Sequence, residues 1–151
     1  DVGVDVIAQH QDSAGPQEAA QERGALSIGY NTDMSKMAPE AHMTSAIWVW
    51  NDMYKNIIEQ VRAGTWKNGS YWYGMADGVV DIAPYGPMVP QNVRDLTDKA
   101  KADIKSGKLV VFSGPVKDQK GVVRVPEGSV PTDKELLSMD WFVEGVVGTT
   151  E

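Results

Sequence analysis

The chain has 151 residues and a mass of 16.4 kDa; 42% of its residues are apolar and 23% are charged, which excludes a disordered or fibrous protein. Its 14 Lys and Arg residues are dispersed among 21 Asp and Glu residues, so a net charge of −7 leaves no basic surface for a nucleic-acid backbone. The absence of cysteine excludes disulfides and thiolate chemistry, and no apolar run reaches the length of a membrane span.

The first elements of the chain follow a β-α-β pattern. The apolar run Val4–Gln9 predicts a strand, and Pro16–Arg23 predicts a helix that Gly24 ends. Ala25–Tyr30 predicts the next strand. The chain starts directly at an apolar run without Met, which we interpret as a piece of a longer protein rather than a trimmed mature chain.

A strand and two amphipathic helices are predicted next. Ala41–Trp48 predicts the strand, and the following helix ends at Gly64. The second helix spans Gln91–Ser106, and two short strands are predicted between the helices, at Tyr71–Met75 and Val79–Ala83. Each helix has an apolar stripe; these consist of Met53, Tyr54, Ile57, Ile58 and Val61, and of Val93, Leu96, Ala100 and Ile104.

The last part of the chain is predicted to be mostly strand. Leu109–Phe112 and Trp141–Val147 are each predicted as a strand, and a turn starting at Lys117 predicts a hairpin that leads into Val122–Val125. Residues 132–139 predict a helical turn. Strands alternate with helices over most of the chain, so the fold class is α/β.

Polar side chains follow the first strand, where His10, Gln11, Asp12 and Ser13 come in succession. Ligands of open α/β sheets lie beyond the carboxyl ends of the strands, so these residues are candidates for ligand binding. One alternative is a capped helix start, with Asp12 or Ser13 as the cap. A second is catalysis by Ser13 with His10 as its base, but the glycine-flanked turn that exposes a serine nucleophile is missing.

The second strand also ends in polar residues, here Asn31, Thr32 and Asp33. These residues could instead have a purely structural role and form an Asx turn. Two consecutive strands that both end in amide and carboxylate groups favour a binding crevice, because both ends face the same side of the sheet.

Trp48 and Trp50 fall on one strand face and are candidates for stacking on a flat ligand, whereas Trp66, Trp72 and Trp141 are predicted to be structural. We predict no metal and no cofactor. The two histidines are far apart in sequence, and no carboxylate spacing resembles a calcium loop.

Five segments come in a fixed order along the chain. They are Asp5-Val-Ile-Ala-Gln-His-Gln-Asp-Ser-Ala-Gly-Pro, Ile28-Gly-Tyr-Asn-Thr-Asp-Met, His42-Met-Thr-Ser-Ala-Ile-Trp, Tyr73-Gly-Met-Ala-Asp-Gly-Val-Val-Asp-Ile-Ala-Pro-Tyr-Gly and Met139-Asp-Trp-Phe-Val-Glu-Gly-Val-Val-Gly. Together they resemble the C-terminal half of the basic membrane protein (BMP) family of ABC-transporter substrate-binding proteins, and the resemblance covers essentially the whole chain.

The resemblance implies a type I periplasmic-binding fold, in which two α/β lobes, each a parallel sheet flanked by helices, close on a ligand. Characterised relatives bind purine nucleosides or nucleobases and deliver them to an ABC permease in the membrane. They are exported to the periplasm or another extracytoplasmic space, are often lipid-anchored, and are not enzymes. Two alternatives remain: a hydrolase or transferase acting on nucleosides, and a ligand-sensing domain of the same fold.

Residue by residue, the resemblance marks the loop His10, Gln11 and Asp12 as ligand-facing. Asn31 stands where nucleoside-binding members carry an acid, and Trp48 stands where they carry a lysine. Both changes remove charge, which favours a free purine base over a nucleoside. Asp33 and Trp50 complete the predicted binding residues.

The resemblance also predicts how the chain is divided between the lobes. Residues 1–47 would end the C-terminal lobe, residues 48–106 would form a crossover helix and elements of the N-terminal lobe, and residues 107–151 would return between the lobes. The missing N-terminal half would then be a partner of this chain. We therefore expect that these residues alone do not form a compact, ligand-binding monomer.

Overall fold

The computed structural model describes residues 3–150. The chain falls into two compact units, one ending at Ser106 and the other beginning at Gly107. Residues 1, 2 and 151, which belong to the predicted lobe segments, lie outside the described residues.

The first unit is built on a mixed sheet of four strands. The strands lie in the order β1 (Val6–Ala8), β2 (Leu26–Asn31), β3 (His42–Trp48) and β4 (Val80–Ile82). The first three are parallel, and β4 is antiparallel to β3. The α/β class and the parallel-dominated sheet are therefore confirmed. The carboxyl ends of β1, β2 and β3 meet at one edge, as such a sheet requires.

This unit has three helices: α1 (Gly15–Glu22) lies between β1 and β2, α2 (Asn51–Arg62) lies between β3 and β4, and α3 (Gln91–Lys105) follows β4. The bounds of α1 and α3 and the end of α2 lie within one or two residues of the predicted positions. Pro16 occupies the first turn of α1, where its missing N–H costs nothing. Just after α2, Gly64 has a φ of +68°, a conformation that glycine adopts without steric cost.

The core of this unit is small and partly polar. Helix α1 packs on β2, where Ala20, Ala38 and Ala41 form the apolar cluster. Gln17 is fully buried beside them, and its Oε1 accepts a hydrogen bond from Ser27 Oγ at 3.2 Å. The remaining polar members are His42 and Ser45, whose Nε2 and Oγ atoms are 2.8 Å apart.

The apolar stripes of α2 and α3 are only partly covered. No described residue of either helix is buried, and the half-buried members of the stripes are Met53, Ile57, Ala100 and Ile104. Polar contacts hold α3 beside β4 instead. Arg94 donates hydrogen bonds to the carbonyl oxygens of Val89 and Gly86, and Lys101 and Lys105 form ion pairs with Asp81.

The second unit contains an antiparallel hairpin and a short helix. The hairpin is formed by β5 (Val116–Lys117) and β6 (Val123–Val125), which confirms the predicted turn. Asp118 accepts backbone hydrogen bonds from Lys120 and Val122 within that turn. The helix α4 (Asp133–Leu137) confirms the predicted helical turn and starts with a capping box.

Three predicted strands do not form: Tyr71–Met75, Leu109–Phe112 and Trp141–Val147. The last of these segments contributes only an isolated bridge between Val143 and Asp118. A run of strand-forming residues needs a neighbouring edge to pair with, and among residues 3–150 these runs find none. The three predictions were therefore wrong.

Candidate functional site

Three of the predicted binding residues form a hydrogen-bonded row at the carboxyl edge of the sheet. Asn31, the last residue of β2, donates from Nδ2 to Asp12 Oδ1 in the loop after β1. Trp48, the last residue of β3, donates from Nε1 to Asn31 Oδ1 at 2.8 Å. The row joins the ends of three adjacent parallel strands, as the strand-end argument predicts.

The amide at Asn31 fits the centre of this row for two reasons. Its φ of +69° lies in the left-handed region, which asparagine tolerates better than most residues. An amide can also donate to Asp12 while it accepts from Trp48. A carboxylate in its place would face the Asp12 carboxylate and repel it.

The rest of the loop after β1 lies beside this row. The His10 ring packs on the ring of Tyr30 with centroids 4.5 Å apart, and Gln11 Nε2 donates to Ser13 Oγ at 3.1 Å. The described side chains of His10 and Ser13 make no hydrogen bond with each other, so the structure does not assemble the Ser–His alternative. The capping alternative is also wrong, because the N-cap residue of α1 is Ala14 and no side chain caps the helix.

The remaining candidates, Asp33 and Trp50, have different surroundings. Asp33 Oδ1 accepts a hydrogen bond from the backbone N–H of Ser35 at 2.9 Å, which forms the Asx turn of the purely structural alternative. The backbone and side-chain hydrogen bonds from Ser35 hold the pKa of Asp33 below its ordinary value. Trp50, in contrast, stacks on Trp48 with ring centroids 5.6 Å apart and on Tyr54 with centroids 5.9 Å apart.

An aromatic cavity of about 300 Å³ adjoins Trp48. No charged side chain lines it. The lining residues are Trp48, Trp50, Met53, Tyr71, Trp72, Tyr73, Val79 and Val80.

Sequence reasoning missed the segment Tyr71, Trp72 and Tyr73, which was predicted as a strand with Trp72 as a structural residue. Trp72 is 60% exposed and Trp66 is 42% exposed, so the structural interpretation of these two tryptophans was wrong. Four aromatic residues within residues 66–73, in a stretch rich in glycine and polar residues, were the signal for an aromatic surface.

Among residues 3–150, no group of three or more His, Asp or Glu side chains is arranged to hold a metal ion. No helix in this range is long and apolar enough to cross a membrane. The row supplies one carboxylate, one amide and one indole, and the cavity beside it adds further aromatic rings, a set suited to stacking and hydrogen bonding.

Comparison with known proteins gives close relatives for this chain. It is 39% identical over 146 residues to a purine-binding protein of Brucella abortus, covering 97% of this chain and 41% of the relative. It is 34% identical over 149 residues to a putative ABC transporter glucose-binding protein of Haloferax volcanii, covering 98% of this chain and 35% of the relative. The chain thus spans about two-fifths of the length of these relatives.

A solved structure shares the fold. It is a transcriptional activator of the comK gene from Bacillus halodurans, with a TM-score of 0.64 and 24% identity over 72% of this chain and 39% of that chain. The profile of the Bmp family, described as ABC transporter substrate-binding protein PnrA-like, matches residues 1–120. The chain therefore belongs to the Bmp family of ABC transporter substrate-binding proteins.

Proposed function

We propose that the protein is an extracytoplasmic solute-binding protein of an ABC importer and that it holds a purine nucleobase or nucleoside at the row of Asp12, Asn31 and Trp48. The observation that carries this proposal is the row itself, in which an acceptor, an amide and an indole are linked at the carboxyl edge of the sheet. The name of the Brucella relative, a purine-binding protein, supports the same ligand class.

The chemistry of the row matches the edge and the face of a purine. Asn31 uses one N–H toward Asp12 and one lone pair toward Trp48, which leaves a donor and an acceptor for the ligand. The second oxygen of Asp12 can accept from an amino or ring N–H group. Trp48 is 39% exposed and offers its indole ring for stacking, and the uncharged aromatic cavity beside it favours a flat, neutral ligand.

Within this class, a free base is favoured over a nucleoside. Asn31 and Trp48 replace an acid and a lysine of nucleoside-binding members, and a ribose loses a carboxylate partner through the first replacement. His10, Gln11, Asp33 and Trp50 remain proposed contacts around the same edge.

A sugar is the main competitor, because the Haloferax relative is named a putative glucose-binding protein and sugars also pack on aromatic rings. Adenine, guanine, inosine and glucose should therefore be compared by isothermal titration calorimetry, after native mass spectrometry of the purified protein for any retained ligand. Binding of glucose without binding of any purine would overturn the proposed ligand class.

The site assignment is tested by Asn31→Ala and Trp48→Ala. Each loses one hydrogen bond or stacking partner worth about 1–3 kcal/mol, so affinity for the bound purine should fall roughly 5- to 150-fold. Asn92→Ala, on an exposed face of α3, is the matched amide control and should bind normally. Unchanged affinity in both site variants would refute the assignment.

The whole protein's partners are part of the same proposal. We place the missing N-terminal half of the protein against the exposed stripes of α2 and α3, and an ABC permease as the acceptor of the ligand. The lobe segments 1–47, 48–106 and 107–151 and a lipid anchor follow from the same family pattern. A cooperative melt and a compact monomer for residues 1–151 alone, by calorimetry and sedimentation, would contradict this lobe division.

The enzymatic alternative has a direct test of its own. A binding protein releases its ligand unchanged, so incubation of the intact protein with inosine or adenosine should give neither free base nor ribose by chromatography. Appearance of either product, in proportion to protein concentration and time, would replace the proposed function with a hydrolase or transferase activity.

A further inference from the structure

One partly buried amide, Gln9, holds the loop that carries Asp12. Gln9 comes directly after β1, and its backbone N–H donates to the carbonyl oxygen of Ile28 at 3.1 Å, so its backbone is fixed beside β2. Its side-chain Nε2 donates to the carbonyl oxygens of Gln11 at 3.0 Å and of Ser13 at 3.1 Å. These two carbonyls lie on either side of Asp12 in the chain.

The same amide nitrogen also touches the segment after β2. Gln9 Nε2 is 3.4 Å from the sulfur of Met34, and Met34 is only 5% exposed. The sulfur in turn lies 2.8 Å from Nε2 of the buried Gln17, so it is anchored in the core of the first unit. Gln9 therefore ties the Asp12 loop to a buried part of the first unit.

We propose that Gln9 is a positioning residue for the ligand site and acts through Asp12, an inference that rests on the function proposed above. Two N–H groups of one side chain fix both carbonyls that flank Asp12, so they set where its carboxylate meets Asn31. Without these bonds the loop between β1 and α1 gains freedom, and the row from Asp12 through Asn31 to Trp48 loses its fixed end.

The test uses Gln9→Met, which keeps the length of the side chain but removes both donors. The matched control is Gln21→Met. Gln21 also holds a loop, because its Oε1 accepts from the backbone N–H of Glu40 at 2.9 Å, but it lies at the other end of α1. If Gln9→Met proves unstable, Gln9→Asn serves as the milder variant, because its amide is one methylene too short to reach both carbonyls.

The first measurement needs no ligand. In the intact protein, the indole N–H resonance of Trp48, identified by its loss in Trp48→Phe, reports the hydrogen bond to Asn31. We expect this resonance to shift in Gln9→Met and to stay in place in Gln21→Met. A resonance that is unchanged in Gln9→Met or in Gln9→Asn would overturn the inference, because the row would then be independent of Gln9.

The second measurement is adenine affinity by calorimetry, combined in a double-mutant cycle with Asp12→Asn. Gln9→Met should weaken binding about five- to tenfold in the native background and less than twofold in the Asp12→Asn background, because both act on the same carboxylate. Equal effects in the two backgrounds would assign Gln9 a purely structural role. If no purine binds but the Trp48 resonance shifts, the proposed function fails while the positioning by Gln9 stands.

Discussion

In the first unit, the less amphipathic helix α1 is more buried than the strongly amphipathic helix α2, which is the reverse of what their sequences suggest. Helix α2 has the stronger apolar stripe, yet Ile58 on that stripe is 58% exposed, and no described residue of the helix is buried. Helix α1 is only weakly amphipathic, yet Gln17 is 0% and Ala20 is 6% exposed against β2. An apolar stripe thus indicates a face that requires cover, and a neighbouring element must supply it.

The buried face of α1 is specified by small and polar groups. A Cβ on Gly29 would lie 2.3 Å from Ser45 Oγ and 2.9 Å from Gln17 Nε2, so only glycine leaves room for this polar layer. Small side chains permit the close approach, and the hydrogen bond between Gln17 and Ser27 compensates for the burial of polar atoms. This layer includes Ser27 of β2 and Ser45 of β3, the strands that end in Asn31 and Trp48.

The comparison predicts the largest loss for Gln17→Ala. The substitution removes the acceptor of the Ser27 hydroxyl and leaves a cavity, so the free energy of unfolding should fall by about 2–3 kcal/mol. Urea denaturation of the intact protein measures it, with Glu18→Ala on the exposed side of α1 as the control. If the two substitutions cost the same, the polar layer does not stabilise the unit.

A methyl group at Gly29 should cost nearly as much. Gly29→Ala forces Ser45 and Gln17 to move, and overpacking of this kind costs about 1–3 kcal/mol. Gly69→Ala is the matched control, since a Cβ there meets no atom within 4 Å. Equal midpoints of urea unfolding for both variants would show that the layer rearranges freely.

The imidazole of His42 gives the same layer a pH dependence. Burial lowers the pKa of His42 below its ordinary value of 6.5, against the opposing attraction of Asp33. The unfolded chain therefore takes up a proton at a higher pH than the folded protein, so this contribution to stability is complete above about pH 6.5 and is lost progressively below it.

Urea unfolding at pH 7.5 and 5.5 measures this loss, and His42→Asn should remove it. A loss of the same size in His42→Asn would assign it to other groups. Carboxylates with a lowered pKa, such as Asp33, affect stability in a separate and more acidic pH range. Their contribution to the stability of the protein is lost only as they become protonated.

The smallest effect is expected on α2. Ile58→Glu replaces a side chain that is already 58% exposed, so the helical content of residues 1–151 alone, measured by circular dichroism, should not change. The same substitution should reduce self-association in sedimentation velocity, because it interrupts the apolar stripe. A clear loss of helical content would mean that the stripe is covered and would reverse the comparison of the two helices.

Much of the local structure follows from the sequence alone. The β-α-β start, the end of α2, the bounds of α3 and the hairpin near Lys117 depend on periodicity, end signals and turn residues, which are local properties. The strand-end argument also selected Asp12 and Asn31, because the carboxyl ends of parallel strands share one edge.

Strand pairing, burial and side-chain contacts depend on residues that are distant in sequence, so only the tertiary structure determined them. It left Tyr71–Met75 without a pairing partner and placed its aromatic rings around the cavity beside Trp48. In the folded protein the Asp33 carboxylate accepts a hydrogen bond from Ser35 within its own loop, and the Trp48 indole donates to Asn31 on the neighbouring strand. Periodicity reports which face of an element is apolar, whereas pairing, burial and side-chain contact depend on what the rest of the chain brings beside that face.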